Sequence, residues 1–524
     1  MSCLVVGSAD VATEYLFTTA NATPVQDDLR EYLIRASVRP ERTATVAAVR
    51  STPVAALDAI GNRQSLTSEF GIGLEGALRR HEQEALRNRS LSALAVNAGR
   101  KSALAGINSQ SAIAPAVGDS ILYRVGNAAG PDLCANFNTV RAVVKSLGRR
   151  ATVVQDVTAP ASGFTSDDFR DLAQEFDAVT FPTVSDWFGA PSDINGDGRI
   201  TILITPEINR LTPTGSLGFA GGFFYMHDLL ARDVPSQNYR CAASNEQEIV
   251  YLLAADPNGQ VNGNRFSVET ARESARGTIA HEMQHMINQS VRQSRGVSAL
   301  EVTWLNEALS HFAEEAVGRA SGGYGDMQQL DWNKILSDLD DFDSFFRQNL
   351  LRLRLWMDRP DLSSPISSRA ATELAPRGAS WALLRFAIDQ YGTSNPRAFT
   401  RALVAGPQVD VANLSARAGV PFDKLLPGFL VASYGEVASA NIGAGFRFSS
   451  WNLRNVMESM NGGVYPLRFL TFPTDGVTRS LSGSGNYFLV SLGSKADPAT
   501  FRMLGLDGAP VGFPGARVYL TRMR

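Results

Sequence analysis

The chain has 524 residues, 44% hydrophobic and 19% charged, an ordinary globular composition with a length suited to about three domains. Its 52 acidic and 49 basic residues nearly cancel, so no global field draws it to nucleic acid or to an anionic membrane. No run of about 18 apolar residues offers a membrane-spanning helix.

The opening stretch, Met1-Ser2-Cys3-Leu4-Val5-Val6, lacks the basic region and apolar run of a signal peptide. It fits a cytoplasmic protein, or a secreted or surface-anchored one whose leader is absent from this sequence. In the second case Cys3 could carry a lipid anchor; an incidental thiol is the plain alternative. Short β-prone runs at 14–17 and 31–35, separated by a polar turn, predict a small β-rich module over 1–60. Residues 70–90 read as helix. An Ala/Ser-rich stretch at 91–117 reads as linker, so 61–117 forms a helical and linker segment.

From 118 the texture changes. Strands are expected at 121–125, 151–154, 199–205, 223–226 and 249–253, while Val140–Leu147 suits either helix or strand. Thr165 and Ser166 are N-cap candidates for a helix running through Val179. Helical patterns then occupy 266–290, 301–320, 328–358, 378–391 and 396–404. A mixed sheet followed by helices predicts an α+β domain over 118–461. β-type runs return at 467–470, 487–490 and 517–520, predicting a small β domain over 462–524.

Three cysteines cannot all pair within one chain. Cys134 and Cys241 form the natural couple, and a bond between them would close a loop of over a hundred residues, worth about 4–5 kcal/mol in the chain-entropy account. Two cysteines do not establish an oxidising compartment, so two free thiols remain the alternative.

The chemistry concentrates in His281-Glu282-Met283-Gln284-His285, an H-E-x-x-H motif. On a helix, residues four apart share a face, so both imidazoles reach one cation while Glu282 lies about a quarter turn away, in reach of an activated water. Catalytic zinc usually keeps three protein ligands and an open position, so a third ligand is needed. Trp304-Leu305-Asn306-Glu307-Ala308-Leu309-Ser310-His311-Phe312 supplies it: an intervening loop lets this helix return antiparallel, and Glu307, Ser310, His311 and Glu314 share one face. The bland reading is a solvated polar stripe. Leu305, Leu309 and Phe312 on the other faces argue for a buried helix, where a carboxylate needs a partner.

The pairing of His281-Glu282-Met283-Gln284-His285 with Asn306-Glu307-Ala308-Leu309-Ser310 resembles the gluzincin metallopeptidases. With the flanking Met286-Ile287-Asn288 and His311-Phe312-Ala313-Glu314, the sequence is similar to the hyicolysin-type family of secreted bacterial peptidases. The firm part of the resemblance spans 281–314 and a looser part 180–400. It implies a zincin-like catalytic domain, with Zn2+ held by His281, His285 and Glu307 and with Glu282 as general base. The sequence departs from the pattern at Ala308, where many members have Gly. It departs again at His311, where thermolysin-like members have an Asp that orients a ligand histidine. The acceptor for the ligand histidines is therefore open, with Glu314 or a backbone carbonyl able to serve.

For an oxyanion-stabilising group the candidates are His311, His227 and Tyr324, with His311 the catalytic candidate beside Glu282; an ordinary structural role is the competing reading for each. The glycine-rich run 218–225 is the expected sheet edge onto which a peptide substrate adds as a strand. Asp193-Ile194-Asn195-Gly196-Asp197-Gly198 matches the start of a calcium loop, with Asp193, Asn195 and Asp197 as Ca2+ ligands. Position twelve is Ile204 instead of Glu, so an ordinary polar turn is the competing reading. Gly71-Ile72-Gly73-Leu74-Glu75-Gly76 formally fits a dinucleotide fingerprint but follows no apolar strand, and His81-Glu82 lacks a second histidine. The expectation is a zinc endopeptidase acting on protein or peptide substrates. A catalytically impaired zincin-fold surface binding or adhesion protein is the alternative, and an intracellular enzyme acting on a non-peptide amide is a third reading.

Overall fold

The computed structural model describes residues 3–6, 13–36, 76, 78–80, 91–94, 115–127, 132–216, 218–297, 299–435, 442–470, 477–492 and 499–523. Most of the expected helix at 70–90, the fingerprint-like 71–75, His81-Glu82 and much of the linker lie outside these residues.

Strands β1 (Cys3–Val6), β2 (Thr13–Asn21) and β3 (Leu29–Ala36) come first. They are followed by β4 (Ser120–Gly126), β5 (Phe137–Leu147), β6 (Ala151–Asp156), β7 (Ile200–Thr205) and β8 (Gly222–Phe224). A short hairpin, β9 (Asp233–Val234) and β10 (Tyr239–Arg240), precedes β11 (Ile249–Leu253). A six-stranded sheet runs β4-β5-β6-β7-β11-β8. Its centre, β6-β7-β11, is parallel, and β8 closes one edge antiparallel to β11. Every residue of β7 and β11 is buried. That explains their near-continuous apolar sequences, Ile-Thr-Ile-Leu-Ile-Thr and Ile-Val-Tyr-Leu-Leu, which suit strands covered on both faces. Val140–Leu147 belongs to strand β5.

Helix α1 (Ser166–Glu175) starts at Thr165, whose side chain and that of Asp168 cap each other's backbone N–H. As expected it runs on through Val179: the backbone stays right-handed helical through a π-turn at Phe176–Thr180 and continues into α2 (Phe181–Phe188). Helix α3 (Val268–Ser294), capped by Ser267, and α4 (Thr303–Ser321) carry the motif residues. The single pattern at 328–358 is broken once: Asp331 caps a short helix ending at Ile335, and Asp338 caps a second that continues from Leu339 through a π-turn at Phe342–Phe346 into α5 (Arg347–Asp358). Helices α6 (Leu374–Tyr391) and α7 (Pro396–Ala405) fall where expected. Three more, α8 (Asp410–Ala418), α9 (Phe422–Ala432) and α10 (Leu453–Met460), join them. The chain is thus mixed α+β, and one large core is built around Trp187, Trp304, Trp356 and Trp381 together with the apolar residues of the six-stranded sheet.

The terminal segments differ from two separate β modules. Strands β12 (Thr478–Leu481), β13 (Ser484–Leu492), β14 (Ala499–Leu504) and β15 (Ala516–Arg522) pair with the N-terminal ones, in sheets ordered β1-β14-β3-β12 and β13-β2-β15. Phe17, Tyr32, Ile34, Phe488 and Phe501 fill the core between them. Local patterning reports that a strand exists but not its partner, so sequence reading assigned each end its own sheet. The expected strand at 467–470 is reduced to one bridge, Leu470 to Phe488. Cys3 lies in β1 opposite Arg502.

Cys134 and Cys241 are joined by a disulfide across a sequence separation of 107 residues. Replacing both with Ser should destabilise the protein by about 4–5 kcal/mol, read as a lower denaturation midpoint. Identical midpoints for oxidised and reduced parent protein would show that this bond does not form in solution.

Candidate metal centre

Helices α3 and α4 pack antiparallel, as their paired residues show: His281 with Glu314, His285 with Ser310, and Asn288 with Asn306. This ladder brings the first helix's imidazoles onto the carboxylate of the second. His281 Nε2 and His285 Nε2 stand 3.1 Å apart. Glu307 Oε2 is 3.4 Å from the former, and Glu307 Oε1 is 3.6 Å from the latter. All three side chains are buried.

The hydrogen bonds fix what those nitrogens offer. Glu314 Oε1 lies 2.7 Å from His281 Nδ1. Burial opposes charge on Glu314, but the neighbouring His311 and hydrogen bonds from His281 and His311 outweigh it and keep the carboxyl ionised well below the usual range. An ionised carboxylate only accepts, so His281 Nδ1 carries the proton and Nε2 presents a lone pair. His285 Nδ1 is 3.1 Å from Ser310 Oγ, which donates to Gln284 Oε1 at 2.6 Å. Ser310 therefore accepts from His285, whose Nε2 also presents a lone pair. Two lone pairs and a carboxylate facing one point repel one another unless a cation sits among them. With bond lengths of about 2.0–2.1 Å, tetrahedral ligand atoms lie about 3.3 Å apart, close to the separations found. The residues fit a zinc ion.

Glu282, between the two histidines in sequence, turns towards the sheet edge. Its Oε2 accepts from the backbone N–H of Phe224 at 2.9 Å and meets Arg79 Nη2 at 3.3 Å. Arg377 Nη1 lies 2.9 Å from Glu307 Oε2. His311 is fully buried, with Nδ1 2.9 Å from Glu314 Oε1 and 3.1 Å from Arg352 Nη1. Desolvation, reinforced by the charge of Arg352, pushes its imidazole down to about 3, so the ring is neutral near pH 7. The cleft beside these groups is lined by Phe219, Gly222, His281, Glu282, His311 and Arg352.

The structure brings His281, Glu282, His285, Glu307 and His311 to one place, and Glu314 is the acceptor for His281 Nδ1. Sequence reading missed Arg79, Arg352 and Arg377, whose positions follow from tertiary packing and carry no local motif. Two oxyanion candidates lie elsewhere. His227 is buried with Nδ1 2.6 Å from Tyr239 Oη, and Tyr324 Oη donates to the carbonyl of Lys334. Neither lines the cleft. His227 also stands beside Cys134 and Cys241, but the disulfide leaves no thiolate there for a metal. The calcium expectation gains no support. Asp193, Asn195 and Asp197 accept from the backbone N–H groups of Gly198, Asp197 and Arg199, which is turn duty, and Ile204 is buried within β7.

No protein-family model matches the chain. Over 152 residues it is 31% identical to the neutral metalloprotease ShpI of Staphylococcus hyicus, covering 29% of this chain and 31% of that protein. The likeness supports a metalloprotease relationship over that part, and the match spans less than a third of the relative's length.

If Glu314 holds His281 in its metal-ligating tautomer, Glu314→Ala should weaken zinc binding roughly 10- to 100-fold, measured by competition with a chromophoric chelator. Unchanged affinity would remove Glu314 from that role.

Proposed function

We propose that the chain is a zinc-dependent endopeptidase with a zincin-like catalytic domain. The observation that carries this reading is the convergence of His281, His285 and Glu307 with Glu282 beside them, supported by the partial likeness to a neutral metalloprotease. A zinc ion held there supplies Lewis acidity that activates water and polarises a carbonyl.

The chain's own groups do the rest. Glu282 takes the proton from the attacking water onto its carboxylate and returns it to the leaving amine. Phe224 directs its N–H and C=O away from β11, the first to Glu282 and the second to Arg79. β8 is thus an edge strand with backbone groups facing the cleft, on which an extended peptide can pair. Gly222 suits this edge, since a Cβ there would meet the carbonyl of Tyr251 at 2.2 Å. His311 lines the cleft wall, but its neutral ring gives its Nδ1–H to Glu314 and presents only a lone pair at Nε2, so stabilising the oxyanion is assigned to the guanidinium of Arg352, which also lines the cleft. Glu314 orients His281 and Ser310 orients His285, so the ligands need no rearrangement on binding.

The disulfide fits an oxidising compartment, in keeping with a secreted or surface-anchored enzyme. Among the described residues no helix is long and apolar enough to cross a membrane. The site residues are all present, which favours an active enzyme over an impaired binding protein of the same fold.

Glu282→Gln should abolish cleavage of casein while zinc content stays near one per chain, as measured by metal analysis. Cleavage that persists in this variant, or that a chelator leaves intact in the parent, would contradict the assignment.

A further inference from the structure

The general base is already engaged by a residue from far outside the catalytic sheet. Arg79 precedes β4 by some forty positions, yet its guanidinium reaches Glu282 Oε2 at 3.3 Å and the carbonyl of Phe224 at 3.3 Å. Both side chains of the pair are nearly inaccessible, at 7% and 4%. Its neighbour Leu78 is buried in the cleft wall against His281 and Glu282. Arg79 lines a second cavity, with His285 and Asn306. Leu78 thus borders the cleft and Arg79 the second cavity, with Arg79 in contact with Glu282. Upstream, Gly76 is seated so closely that a Cβ would meet the carbonyl of Ala371 at 1.9 Å. Downstream, the carbonyl of Leu94 accepts from the N–H of Ala231 at 2.9 Å.

These contacts use the groups that a reaction would need. A carboxylate oxygen that already accepts from an arginine and a backbone N–H is poorly placed to take a proton from water. A Phe224 carbonyl that accepts from a guanidinium is withheld from a substrate strand. Resting on the peptidase reading above, we propose that the segment bearing Gly76, Leu78 and Arg79 is a built-in inhibitor. It narrows the cleft with Leu78, neutralises Glu282 with Arg79, and is displaced for activity. The cleft then prefers, on the side of Phe224 and Glu282, a peptide with a cationic side chain following an apolar one.

The test uses the full chain loaded with zinc, as parent, Arg79→Ala and Arg79→Lys. Two quantities are read: hydrolysis of quenched fluorogenic peptides, and affinity for a dansylated dipeptide hydroxamate, which reports access to the cleft independently of turnover. If the cleft is open only about a tenth of the time in the parent, both should rise about tenfold in Arg79→Ala, with Arg79→Lys in between. Adding Glu282→Gln to Arg79→Ala should remove turnover and leave the tighter hydroxamate binding. Gly76→Val, which collides with Ala371 away from the reacting groups, should unseat the segment and raise both readouts as well; it decides the matter if Arg79→Ala does not fold. Parent-level or weaker hydroxamate binding in a folded Arg79→Ala or Gly76→Val protein overturns the proposal. Absence of turnover in every variant would count against the peptidase reading, and the hydroxamate affinities would still decide whether the segment blocks the cleft.

Discussion

Glu307 places a carboxylate with no solvent exposure on the second helix of the motif, facing two imidazoles whose lone pairs point the same way. Such a cluster of acceptors is costly in a low-dielectric interior unless positive charge enters it. Arg377 supplies part of that charge from behind, at 2.9 Å, and a cation at the convergence point would supply the rest. The geometry of α3, α4 and α6 is subordinate to this balance. Moving any of the three helices would strand a buried charge, and breaking a buried pair in this way typically costs about 3–5 kcal/mol.

The support around Glu307 is built to the same rule. Two turns further along α4, Glu315 is also fully buried and is saturated: Trp381 and Trp451 donate their indole N–H groups at 2.9 Å each, and Arg319 adds its Nε at 2.7 Å. This polar cluster ties α4 to α6 and to the segment before α10. The Glu307 carboxylate therefore sits on a helix whose rotation is fixed from both sides. Together with Glu314 and Ser310 behind the histidines, it gives the preorganisation that the proposed metal site would require.

The motif residues were legible because helical spacing converts directly into a shared face: His281 and His285 from one segment, and Glu307, Ser310, His311 and Glu314 from the other. Whatever depended on long-range pairing was not. Arg377 and Arg352 look like ordinary residues of amphipathic helices until α5 and α6 are packed against α4, and Arg79 is one of many arginines in a charged stretch. The terminal strands were recognised as strands, but no local pattern says that β2 lies between β13 and β15. At 328–358 the helical periodicity was real, yet Asp338 competes for backbone N–H groups and breaks it.

X-ray absorption at the zinc edge of the loaded protein tests the central claim most directly. The account predicts a first shell of two imidazole nitrogens and carboxylate oxygen with no sulfur, and the loss of one imidazole in His285→Ala. A shell dominated by water oxygens, one containing sulfur, or one unaltered by that substitution would contradict it.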